Sequence, residues 1–141
     1  MASAQIEELF NAALEFAKRM LGEHHSFHPV AVSMAPDGKV AMVAGYTGSE
    51  QPPAQDVIDL LQWGLIEQAK NGAIQAAGVC LDVRTVPPGE ATKSDAVCVR
   101  LATTSGEAVE VYVPYRKPLL GAYKYGATFA TRGHVFNLHG A

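Results

Sequence analysis

The sequence predicts an α+β domain: one antiparallel sheet of about five strands with two helices packed on a face, in the order α-β-β-α-β-β-β. Three observations lead there. Two stretches carry apolar residues at helical spacing. Three later runs alternate between apolar and polar residues, the period of a strand with one buried face. The turn signals between neighbouring strands are too short to hold a crossover helix, so those neighbours run antiparallel.

The first helix is read over residues 3 to 21. Ile6, Leu9, Phe10, Ala13, Leu14, Ala17, Met20 and Leu21 form one apolar stripe. Ser3 is placed to cap its start, and Gly22 stands where a left-handed residue would end it. A hairpin follows. Its strands, 29 to 33 and 39 to 46, flank Pro36-Asp37-Gly38, a strong turn signal. The run TGSEQPP, 47 to 53, is a loop, and its prolines suit the first turn of a second helix reaching Lys70. Ile58, Leu61, Leu65 and Ala69 carry that helix's buried face, with Val57, Leu60 and Trp63 beside it; Asn71-Gly72 closes it.

Next comes a meander. Val79, Leu81 and Val83 alternate with Cys80, Asp82 and Arg84; Val97, Val99 and Leu101 with Cys98 and Arg100; Val109, Val111 and Val113 with Glu110 and Tyr112. If one face is buried, matching the apolar sets fixes the register. Val79 then faces Val99, Leu81 faces Val97, and Cys80 lies opposite Cys98. In the second hairpin Leu101 faces Val109, Val99 faces Val111, and Arg100 faces Glu110 as an opposite-charge pair. Thr104-Ser105-Gly106 fits a three-residue loop with Gly106 left-handed. Pro114 and Pro118 are expected to break any regular element around Tyr115-Arg116-Lys117, and 123 to 129 to form a last strand. The end, HVFNLHGA, reads as a short strand or a docked tail. This element order resembles profilin-like and roadblock-like domains, a likeness of fold that implies no function.

Bulk properties narrow the function classes. A length of 141 residues fits a single domain, 1–141, with a core of its own. The chain is 48% hydrophobic and 18% charged, an ordinary globular balance. A net charge of −3 leaves no basic footprint for nucleic acid. No apolar run approaches the length of a membrane span, so no membrane partner is expected. MASAQIEELF lacks the pattern of a signal peptide, and two cysteines suit reduced thiols, so a cytoplasmic location is expected.

Candidate chemistry is sparse. GEHHSFHPVA holds three of the five histidines, His24, His25 and His28. Imidazoles are zinc ligands. In an extended backbone, however, His24 and His28 lie about 13 Å apart. A tight loop would be needed to join them, with His134 or His139 from the tail. The alternative is a solvated connector. Cys80 and Cys98, if opposite, are a conceivable redox pair or two small core residues. Asp82, Arg84 and Arg100 are expected on the cysteines' sheet face, as a ligand-binding cluster or a solvated one. Residues 1 to 110 hold 14 acidic and 7 basic side chains, net −7, whereas 111 to 141 hold no acid and four bases. Three of these, Arg116, Lys117 and Lys124, interleave with Tyr115, Tyr123 and Tyr125, a combination that suits an anion-binding surface or a docked tail. No G-x-G-x-x-G, P-loop, G-x-S-x-G or H-E-x-x-H motif is present.

The runs QPPAQDVIDLLQWGL, AAGVCLDVRTVPPGEATKSDAVCVRL and VPYRKPLLGAYKYG resemble a group of small bacterial proteins without an assigned function. The likeness covers most of the chain and implies a stand-alone domain, with no catalytic residues to carry over. The expected function is a non-enzymatic, cytoplasmic protein-interaction or regulatory domain, homodimeric and without a cofactor. The alternatives are a small-ligand or metal-dependent enzyme built on His24, His25 and His28, and an anion-binding module built on Arg116, Lys117 and Lys124.

Overall fold

A computed structural model of the chain describes residues 3–44, 53–132 and 137–138. Helix α1 (Ala4–His24) begins where its stripe begins, with the Ser3 hydroxyl accepting from the Ile6 N–H. It runs past the expected stop. Gly22 stays helical, and His25 takes the left-handed position, φ 65°, donating its N–H to the Leu21 carbonyl at 3.0 Å. Histidine is among the few side chains that enter this region with any frequency. Leu21 is the last buried residue of the stripe, and the helix continues three residues beyond it.

Strands β1 (Val30–Met34) and β2 (Val40–Ala44) form the first hairpin. Gly38 at φ 90° makes the turn, and the Asp37 carboxylate accepts from the Lys39 N–H. The expected extension of β2 to Tyr46, and most of the TGSEQPP loop, lie outside the described residues. Helix α2 (Ala54–Lys70) buries Val57, Ile58, Leu61 and Leu65, while Leu60 and Trp63 face outward. The long strands β3 (Ala76–Thr85), β4 (Ser94–Thr103) and β5 (Ala108–Arg116) follow, then β6 (Lys124–Tyr125) and β7 (Phe129–Thr131).

The sheet is antiparallel with seven strands, in the order β2-β1-β3-β4-β5-β6, and β7 also pairs with β5. The α+β class and the element order are as the sequence predicts. The strand count reaches seven because 123 to 131 adds two short strands, β6 and β7, to the hairpin and the meander. Pro114 does not end β5. Its carbonyl accepts from the Gly126 N–H at 2.8 Å, so the N–H it lacks would also point away from β4. Proline at that position costs the β4–β5 ladder nothing.

The helices lie on opposite faces of the sheet, not on one. Cys80, Val97, Val99, Leu101 and Val113 pack with α1; Ala77, Val79, Leu81, Cys98 and Ala102 pack with α2 and with Leu138 from the tail. This corrects the first meander register. Val79 faces Arg100, Cys80 faces Val99, and Leu81 faces Cys98, one residue away from the expected pairing. With both faces buried, apolarity no longer says which way a residue points. The observed register instead seats Gly78 beside Leu101. A Cβ there would lie 2.7 Å from Leu101 Cδ2 and 2.8 Å from the Arg100 carbonyl. The second hairpin is as predicted, with Arg100 facing Glu110 and Gly106 at φ 108°.

Candidate functional site

The histidines and the basic tail, read separately in the sequence, meet at one end of the molecule. The left-handed turn at His25 sets its ring against Tyr123, the rings 6.2 Å apart and stacked, with Nδ1 3.1 Å from the Tyr123 hydroxyl. His24 and His28 are exposed, and His24 lies 3.9 Å from Glu23. Phe27 and Pro29, on either side of His28, are buried. The segment thus anchors inward through its apolar residues and turns His24 and His28 outward. Among the described residues, no group of three or more His, Cys, Asp or Glu is placed to hold a metal ion. His134 and His139 lie outside those residues.

Strand β5 carries Tyr115 and Arg116 to this end, and β6 returns with Lys124 opposite Arg116 and Tyr125 opposite Tyr115. Tyr115 is the buried centre. Its ring lies 5.8 Å from Tyr123 and 6.3 Å from Tyr125, and its hydroxyl donates to Asp82 at 2.6 Å. Burial, together with the Asp82 carboxylate, pushes the Tyr115 phenol far above its ordinary range, so it stays a donor. Burial raises the Asp82 carboxyl too, against the lowering effect of the Tyr115 bond. Lys18 of α1 sits over the Tyr125 ring at 4.6 Å.

Around this anchor runs an open groove of about 840 Å³. Arg116, Lys117 and Lys124 line it from the β5–β6 side, and Arg84 and Lys93 from the β3–β4 side. It also holds the carboxylates Glu90 and Asp95, the latter 3.8 Å from Arg84. The structure therefore brings the three predicted anion-binding residues together and adds two more cations. Arg116 and Lys124 are like charges directly across a ladder, an arrangement that an anion would relieve. In the sequence Arg84 falls in a different candidate cluster, with Asp82 and Arg100, and Lys93 in none; neither lies in the acid-free stretch.

Beyond Arg116 the hairpin turns through Gly121, φ 92°, and presents Leu119 and Leu120 at 104% and 92% relative exposure. Two adjacent leucines carry no periodic signal, and only the fold shows that no described residue covers them.

The cluster expected on the cysteine face is split. Cys80 and Asp82 point to the α1 side, and Cys98 and Arg100 to the α2 side, so the thiols lie on opposite faces and are not cross-strand neighbours. Both are free and buried; burial pushes the Cys98 thiol up to about 12 and Cys80 higher still. Arg100 is committed to Glu110, whose carboxylate also accepts from Tyr112 and Thr131.

A second hollow of about 700 Å³ lies between α1 and β5, lined by Ile6, Phe10, Val109 and Val111 together with Glu7, Glu107 and Arg132. No helix among the described residues is long and apolar enough to cross a membrane. Compared with known proteins, the chain matches no family model, no curated protein and no solved structure.

Proposed function

We propose that this protein acts by protein contact, as a non-enzymatic cytoplasmic interaction or regulatory domain that homodimerises through β2. The observation that carries the reading is the state of that strand. It ends the sheet order, and among the described residues it pairs only with β1. Its sequence VAMVA holds no charge and no proline, and Ala41, Met42, Val43 and Ala44 are all exposed. Sheet edges are usually blunted by charge, proline or a bulge, and this one carries none within it. A second copy of β2, antiparallel about Met42, would pair the backbone edge turned away from β1 and set Ala41 against Val43 in both directions, an isologous two-fold contact. Light scattering tests this. The wild-type chain is expected to run as a dimer, and Val43→Lys as a folded monomer. A strictly monomeric wild type, or a dimer indifferent to Val43→Lys, would refute it.

A second reading, anion binding, is favoured by the groove that gathers Arg116, Lys117 and Lys124 with Arg84 and Lys93. Its test is calorimetric titration with inorganic pyrophosphate at low and high salt. Binding weakened by salt supports it; no binding at low salt removes it.

A further inference from the structure

We infer that the β5–β6 hairpin seats this protein on an anionic lipid surface, with Leu119 and Leu120 entering the boundary between headgroups and acyl chains and Arg116, Lys117 and Lys124 meeting lipid phosphates. The inference rests on the anion-binding reading of those three cations and names the anion.

The tip and its flanks have the two parts such a contact needs. Leu119 and Leu120 are as exposed as side chains can be, so the fold spends them on nothing internal. Arg116 and Lys117 precede them and Lys124 follows, all three exposed. No acidic residue occurs anywhere from 111 to 141, so nothing on the hairpin itself opposes a negative surface. The nearest carboxylates in the groove, Glu90 and Asp95, belong to the β3–β4 side, and Asp95 is engaged by Arg84. Long basic side chains can reach headgroup phosphates while their stems follow the leucines inward. That no helix among the described residues is long and apolar enough to span a membrane does not bear on this, since a surface contact needs only a few apolar side chains and cationic support.

The shape favours lipid over a protein. A stable protein interface covers about 800 Å² on each partner. A tip of two exposed leucines flanked by exposed cations offers far less matching area, whereas a fluid bilayer closes around it. The base of the tip is firm. Pro118 and Gly121 shape its turn, Arg116 and Lys124 pair across β5 and β6, and the Tyr115–Tyr123–Tyr125 cluster is tied to α1 through His25 and Lys18.

The full chain is tested by co-sedimentation with phosphatidylcholine vesicles, with and without phosphatidylserine, beside the pyrophosphate titration. Binding is expected only to vesicles holding phosphatidylserine, and to fall with salt. Neutralising Arg116, Lys117 and Lys124 to Gln should weaken it roughly five-fold per cation. The doubly substituted Leu119→Ser, Leu120→Ser chain should lose about ten-fold or more, yet bind pyrophosphate as the wild type does. Circular dichroism confirms that both variants fold. Pyrophosphate binding without vesicle binding would leave the anion reading standing and overturn the lipid one. Absence of both would overturn both. Vesicle binding indifferent to the two leucines, or a self-association in solution that disappears with them, would also overturn it.

Discussion

Arg100 and Glu110 face each other across β4 and β5, Nε 3.0 Å from Oε2, with the Glu110 side chain 1% exposed. Three donors converge on this carboxylate: Arg100, the Tyr112 hydroxyl and the Thr131 hydroxyl. Burial alone would raise its pKa. The bonds from Tyr112, Thr131 and Arg100 outweigh burial and hold it below the usual glutamate value. Arg100→Met removes the cation and leaves Glu110 buried, so a loss of about 3 kcal/mol is expected from chemical denaturation at neutral pH. Adding Glu110→Leu to Arg100→Met should cost less than the two single changes together.

The same pair sets an acid dependence. A carboxylate whose folded pKa is depressed binds fewer protons in the folded chain than in the unfolded one. Its contribution is therefore fully present above the ordinary glutamate pKa, near 4.5, and is lost as pH falls through the lower folded value. Melting temperatures below pH 5 should fall less steeply for the Arg100→Met, Glu110→Leu chain than for the wild type.

Gly78→Ala should destabilise by about 1–3 kcal/mol. Alanine is normally the better strand residue. Here its Cβ would meet the Arg100 carbonyl at 2.8 Å, a backbone atom that cannot rotate away. An unchanged or raised denaturation midpoint would mean that β3 and β4 do not pair in this register.

His25 sits at φ 65°, where glycine is at ease and a β-branched residue is not. His25→Val should cost about 1–2 kcal/mol. His25→Gly relieves the backbone but loses the Tyr123 contact, so its melting temperature should stay near wild type, above that of His25→Val.

The thiols should neither pair nor react while the chain is folded. Cys80 and Cys98 point to opposite faces, and burial keeps both protonated at neutral pH. A thiol reagent is expected to modify them only as fast as the chain opens, and mild oxidation should leave the mass unchanged. Prompt modification of the native chain would refute the placement.

Helices, turns and the β4–β5 register were legible because their causes are local. An apolar stripe at helical spacing, Asp37-Gly38 between two strands, and Arg100 ten residues before Glu110 across a short Gly106 loop all act over a few residues. Helix α1 extends three residues beyond its predicted end, since Gly22 permits a stop without requiring one. The grouping of Arg116, Lys117 and Lys124 was legible as an acid-free stretch, but their meeting with Arg84 and Lys93 was not. The β3–β4 register differs from the predicted one for one reason: each face of the sheet is covered by a helix, so β3 from Ala76 to Leu81 is apolar and buried on both sides. His25 and Tyr123, 98 residues apart, likewise share a site only because α1 packs across the sheet. Periodicity and turn chemistry therefore carry the elements and their order. Which faces are covered, and which distant side chains meet, is decided by packing between elements, where burial on both sides erases the alternation that a sequence can show.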